Sequence, residues 1–215
     1  MKRFIIGIDE VGRGPLAGPV VVGAVLIPTK LKLARKGLRD SKKLSAAARE
    51  EWAGYIRSHP KMSYALAMVS PQVIDRINIA KAANLAALRV VIRLAVAAKI
   101  KLKHCEIYLD GGLYLGNGRA RLVAKTVIKG DEKIPAISLA SIVAKVHRDR
   151  MMTRLAKKVP GYGLEVHKGY GTKAHLKALR RLGPSPAHRL TFLRKLNNID
   201  RKSHGRRTNK TSYPR

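Results

Sequence analysis

The run Phe4-Ile5-Ile6-Gly7-Ile8 is apolar and rich in β-branched residues, and it stops on two adjacent acids, Asp9 and Glu10. A short run of this kind reads as a strand buried at the centre of a sheet. Successive strand residues point to opposite faces, so at least one of the two carboxylates is carried inward. Burying an ionised group is costly, and acids are scarce in this chain. Only 13 Asp and Glu stand against 45 Lys and Arg, a formal net charge of +32. An acid spent on the interior of so basic a chain needs a reason.

The elements that follow set the fold class. Pro19 to Ile27 reads as a second strand, closed by Pro28. The connection Val11-Gly12-Arg13-Gly14-Pro15 is short enough for antiparallel neighbours and long enough for a shaped loop. Ser45 caps a helix to about Ile56, and Met62 to Val69 is a third strand. Ser70-Pro71 is a helix start, and the helix behind it runs to about Lys99 with Leu85, Leu88, Ile92 and Ala95 on one stripe. His104 to Leu109 and Arg121 to Ile128 return to strand. Ala136 to about Lys157 is a helix with a small-residue first half. From Pro160, glycine and proline break up the chain and leave one helix, Thr172 to Arg181. Residues 196–215 are polar and basic and read as a disordered tail. Three early strands followed by alternating helix and strand point to an α/β fold, a mixed sheet with helices on it. The expected organisation is one domain over residues 1–195, of which 158–195 form a small C-terminal part.

The charge selects the partners. So positive a field attracts polyanions, nucleic acid first. An anionic membrane is the second candidate, but no stretch is apolar enough to span one. Phe4 to Ile8 is too short, and too soon followed by acids, to be a signal peptide. The single cysteine, Cys105, allows no internal disulfide, suits a cytoplasmic location and reads as a buried strand residue.

Asp9-Glu10, Asp110 and Asp131 all stand where strands stop, the place where functional groups of α/β sheets gather. Carboxylates converging from distant parts of the chain repel one another unless a cation holds them. Hard oxygen ligands suit Mg²⁺ or Mn²⁺, and in a nucleic-acid-binding chain two such ions make a phosphodiester-cleaving site. An Asp between a strand and a glycine is also an ordinary turn residue. Glu132 competes with Asp131 as the ligand. Asp40 reads as a turn or cap and Asp149 as an ion-pair partner on a helix. Gly12-Arg13-Gly14 lacks the third glycine and the following helix of a dinucleotide loop. Bare backbone beside a guanidinium suits close approach to a sugar-phosphate, and a strand turn would explain the glycines alone.

Asp9-Glu10-Val11-Gly12-Arg13-Gly14-Pro15-Leu16-Ala17-Gly18-Pro19 resembles the opening signature of ribonuclease HII. Further blocks match in order: Asp40-Ser41-Lys42-Lys43-Leu44, Asp110-Gly111, Lys129-Gly130-Asp131, and Ala140 to Val146 with Arg148-Asp149. His167-Lys168-Gly169-Tyr170 and Pro186-Ala187-His188-Arg189 complete the series. The resemblance implies a ribonuclease H-like fold, a mixed five-stranded sheet flanked by helices with a small helical C-terminal part. It also implies a metal-dependent endonuclease that cuts RNA paired with DNA, or nicks on the 5′ side of a ribonucleotide embedded in duplex DNA. The products would be 3′-hydroxyl and 5′-phosphate ends. Asp9, Glu10, Asp110 and Asp131 match the family's catalytic carboxylates and metal ligands, expected to hold two Mg²⁺ or Mn²⁺ ions. Gly12, Arg13 and Gly14 match the loop that senses the 2′-hydroxyl, and Tyr170 the tyrosine that packs on the neighbouring deoxyribose. Lys42, Lys43, Lys145, Lys168 and Arg189 are candidate phosphate contacts. A monomer is expected. Val11 and Leu139 depart from the family's usual small residues, and neither departure removes a ligand. A passive basic binder would explain the charge but not the strand-end acids. A nuclease directed at all-DNA duplexes would leave Gly12-Arg13-Gly14 and Tyr170 without a purpose.

Overall fold

The computed structural model describes residues 2–31, 33, 44–116 and 122–194. Lys42, Lys43 and the tail at 196–215 lie outside them. Strands β1 (Phe4–Val11), β2 (Val20–Pro28) and β3 (Ser63–Val69) form an antiparallel meander. β4 (Cys105–Asp110) and β5 (Ala124–Val127) then add in parallel on the other side of β1. The five-stranded order is β3-β2-β1-β4-β5, so the strand with the paired acids is central, as its apolar run required.

The register matters most at one end. In the parallel pair Ile8 lies opposite Leu109, which brings Asp9 and Asp110 to adjacent strand ends. Asp110 in turn lies opposite Val127, just before the turn that leads to Asp131.

Helices cover both faces. α1 (Ala46–Ser58) starts at Ser45, whose hydroxyl accepts the Ala48 amide at 3.1 Å. It packs with α5 (Pro135–Lys158) on one face, and Arg49 of α1 pairs with Asp149 of α5 at 3.7 Å. Gly7 and Gly23 let α5 settle against the sheet. A Cβ on Gly7 would stand 2.1 Å from the backbone carbon of Ala136, and one on Gly23 2.6 Å from the carbonyl of Ala140.

The other face carries α3 (Ile79–Ala97). The single helix expected from Pro71 to Lys99 is two, because Asn78 takes positive φ (67°) between α2 (Pro71–Ile77) and α3. Its side chain accepts the Lys81 amide at 3.0 Å, a local bond that competes with helix continuation and caps α3 instead. The buried side of α3 is Ala82, Ala83, Ala86, Ala87, Val90, Val91 and Leu94. The expected Leu-Ile stripe lies off that side: Leu85 packs at its flank and Ile92 is 49% exposed. Alanines take the buried positions in the first half of α3, and Val90, Val91 and Leu94 take them in the second. Cys105 is buried, as expected. Among the described residues no helix is long and apolar enough to cross a membrane.

The last part, with α6 (Leu164–His167) and α7 (Lys173–Leu182), folds around Ala17, Met152, Tyr162 and Leu164. Between the two helices and the chain at 185–189 lie three histidine rings. His167 stacks on His175 at 4.3 Å between centroids, and His175 meets His188 at 5.3 Å. Burial and the mutual repulsion of the rings press His188 down to about 4 from an ordinary 6.5, and His175 is lowered by burial first. A histidine held below its unfolded value stabilises the fold above that value. The contribution is lost as pH falls from 6.5 towards 4, where the unfolded chain binds the extra proton. The melting temperature is therefore expected to fall across that interval, and His188→Gln to flatten the fall. A wild-type curve as flat as that of the variant would count against neutral buried rings.

Candidate active site

The site is assembled where β1 and β4 end. Asp9 is buried at 6% exposure on the face covered by α5, where it hydrogen-bonds to the Ser141 side chain, and its Oδ1 accepts the Glu10 amide at 2.8 Å. Burial pushes its carboxyl up to about 7, and the charges of Glu10 and Asp110 add to the rise, while Ser141 opposes it. Glu10 points to the opposite face with its side chain 8% exposed. Its Oε1 accepts from Arg13 Nη1 at 3.1 Å, and its buried Oε2 has no hydrogen-bond partner. Burial raises Glu10 too, against the pull of Arg13.

Asp110 faces the same side of the sheet as Asp9. Its Oδ1 accepts the Gly130 amide at 2.7 Å, which pins the turn before Asp131 to the end of β4. Asp131 is buried at 3% exposure, in the short helix α4 (Gly130–Lys133) that follows Lys129 in the left-handed region. The expected four acids are thus brought to one end of the sheet, with the charge of Asp110 close enough to raise the proton affinity of both Asp9 and Glu10. Among the described residues no three His, Cys, Asp or Glu side chains are arranged to hold a metal ion as they stand. Asp110 has one oxygen turned to the Gly130 amide and Glu10 has one turned to Arg13, which leaves an open cluster.

The loop after β1 is held from behind by two arginines. Gly12 takes φ of 89°, and a Cβ there would stand 2.2 Å from Arg148 Nε. Arg148, 1% exposed, donates to the carbonyls of Pro19 (3.1 Å), Lys168 (3.0 Å) and Ala17 (3.2 Å). Arg189 donates to those of Gly18 (3.0 Å), Arg13 (2.9 Å) and Gly12 (2.6 Å). Arg189 is fully buried, which corrects its reading as a phosphate contact: its fork is spent on backbone. A guanidinium has five donors in a plane and no acceptor, so one side chain can anchor several carbonyls of an irregular loop. Neither of these roles, nor that of Ser141, was read from the sequence. The match of Ala140-Ser141 and of Arg148 to family blocks was the available signal.

Arg13 itself bridges the two strand ends, since it donates to the Gly112 carbonyl at 3.1 Å as well as to Glu10. Gly14 is exposed, and Tyr170, 49% exposed, lies beside it: a Cβ on Gly14 would meet the tyrosine ring at 3.9 Å. Lys145 is half-buried on α5. Lys168 ties its ammonium to the Glu165 carbonyl (2.7 Å) and the Thr153 hydroxyl (3.2 Å).

A family model described as ribonuclease HII matches residues 6–196. A ribonuclease HII of Chlamydia caviae is 43% identical over 189 residues, 88% of this chain and 84% of that protein. The solved PCNA:RNase HII complex from Archaeoglobus fulgidus superposes with a TM-score of 0.67 at 30% identity, over 86% of this chain and 93% of that one. A Bst ribonuclease HIII in complex with Mn²⁺ gives a TM-score of 0.69 at 22% identity, over 88% and 67% of the two chains, and shares the fold.

Arg189→Met fills similar space but leaves three carbonyls without their donor. It is expected to cost roughly 3 kcal/mol in urea unfolding. A loss within a few tenths of a kcal/mol would show that those bonds hold nothing in place.

Proposed function

This chain belongs to the ribonuclease HII family, and on that premise we propose that Asp9, Glu10, Asp110 and Asp131 are the carboxylates that hold its divalent metal ions. The protein is an endoribonuclease of the ribonuclease H class acting on RNA–DNA hybrids.

One observation carries the metal assignment. The acid cluster is under-compensated: Asp9 is raised to about 7 by burial and neighbouring acids, and Glu10 Oε2 is buried with no partner. Such a cluster fits a cation, and its all-oxygen donors fit Mg²⁺ or Mn²⁺, two ions in our reading. The Mn²⁺ of the ribonuclease HIII complex agrees with that choice. A bound ion supplies a water made nucleophilic at neutral pH and charge stabilisation for the leaving oxygen.

The remaining work belongs to the chain. Ser141 orients the Asp9 carboxyl from α5, and the Gly130 amide orients Asp110. Arg13 keeps Glu10 beside the Gly112 turn and so ties the loop after β1 to the loop after β4. With Arg189 holding the carbonyls of Gly12 and Arg13, and Arg148 packed against Gly12, the Gly12–Gly14 backbone is a firm surface against which a ribose 2′-hydroxyl is read. Tyr170 packs its ring on the deoxyribose next to that ribose. Lys145 and Lys168 serve the phosphate backbone, as Lys42 and Lys43 do from outside the described residues. The substrate includes a DNA duplex with an embedded ribonucleotide, nicked on its 5′ side to leave 3′-hydroxyl and 5′-phosphate ends. The enzyme acts as a cytoplasmic monomer, and its charge makes binding steeply salt-dependent.

The test uses a labelled DNA duplex carrying one ribonucleotide, with Mg²⁺, Mn²⁺ or EDTA, beside an all-DNA control. A metal-dependent nick 5′ of the ribonucleotide with the control intact is expected. Asp9→Asn should lose the nick while keeping duplex affinity within about threefold, because phosphate contacts supply most of the binding. Addition of Mn²⁺ should raise the melting temperature of the wild type and not of Asp9→Asn. Binding without any cut in either metal would defeat the assignment.

A further inference from the structure

The buried histidines form a hydrogen-bonded path whose direction is fixed by its ends. His188 Nδ1 faces the Ser185 amide at 3.0 Å and its hydroxyl at 2.9 Å. An amide N–H can only donate, so Nδ1 accepts and the proton of the neutral ring sits on Nε2. That Nε2 is 3.1 Å from His175 Nε2 and donates to it. The His175 proton is then on Nδ1, which donates to the Tyr170 carbonyl at 2.9 Å. The rings of His175 and His188 are 0% and 2% exposed, and leucine or phenylalanine would fill such space without polar atoms to satisfy. What the polar path adds is a fixed length from the backbone at Ser185 to the backbone at Tyr170.

The next residue after His188 is Arg189, which holds the carbonyls of Gly12 and Arg13. One short segment therefore anchors both sides of the gap between the Tyr170 ring and Gly14, through Arg189 on one side and the histidines on the other.

We propose that His188 and His175 are positioning residues that set the height of the Tyr170 ring over the Gly12–Gly14 loop, and with it the grip on the deoxyribose at a ribose–deoxyribose junction. This rests on the reading of Tyr170 as a substrate contact. Neither histidine touches substrate. Their effect passes through Tyr170 and falls on junction substrates rather than on uniform hybrids, which present no deoxyribose there.

The test is a double-mutant cycle in kcat/KM, on a duplex with one ribonucleotide and on a uniform RNA–DNA hybrid, with melting temperatures recorded for each variant. His188→Leu should lower junction cleavage about tenfold and hybrid cleavage far less, a coupling of the size contacting residues show. His188→Gln, which restores an N–H near Nε2, should recover most of that loss. In the Tyr170→Ala background His188→Leu should cost nothing further. If His188→Leu does not fold, His175→Gln enters the same cycle, since it keeps the acceptor towards His188 but lacks the donor to Tyr170. A loss that is undiminished in the Tyr170→Ala background, or equal on both substrates, overturns the relay alone. Junction cleavage unchanged by Tyr170→Ala itself overturns the substrate role of Tyr170 and the relay with it.

Discussion

Most of the molecule depends on how closely one helix lies on the sheet. The contact of α5 with β1 and β2 is made backbone to backbone through Gly7 and Gly23. From that contact the helix carries side chains to the site at regular intervals. Ala136 and Ala140 meet the sheet, Ser141 reaches Asp9, Arg148 reaches the loop carbonyls, and Met152 lies under Gly18 and Gly169. A side chain on either glycine would lift the helix and move every later contact outward. The acid-bearing end of the sheet and the loop beside it are thus placed by one packing distance.

The electrostatics of the site are divided between two kinds of burial. Asp9 and Glu10 at the end of β1 are buried with too few partners, and burial raises their proton affinities. The two arginines behind the loop are buried with their guanidiniums donating to main-chain carbonyls. A folded state tolerates the first arrangement only as a stability cost held for function. The second is structural: charge-assisted bonds to main chain hold an irregular segment that has no ladder of its own.

What could be read from the sequence follows from where side chain and backbone agree. The central strand was legible because an apolar β-branched run can do little else, and the acids because burying them needs a reason. Ser45 reads as a cap and accepts the Ala48 amide, and the helix expected from Thr172 starts there, with the Thr172 hydroxyl accepting the His175 amide. The break at Asn78 was not legible, since its neighbours on both sides favour helix and only one side-chain bond decides against continuation. The core side of α3 is hard to read for a related reason: Leu85, Leu88, Ile92 and Ala95 stand at helical spacing, whereas the buried side runs through four alanines to Val90, Val91 and Leu94. Arg189 reads as a surface cation in any one-dimensional view, because nothing local reveals that six carbonyls from distant loops surround it and Arg148.

The two guanidiniums grip main-chain oxygens and ignore what is attached to them. Arg13, Pro19 and Lys168 present carbonyls that any residue would present. Replacing those side chains leaves the grip intact, provided the small residues that make room for Arg148 stay. The loop is therefore evolvable in a specific sense: its outward chemistry can drift towards other sugars or other polyanions while its shape is inherited unchanged.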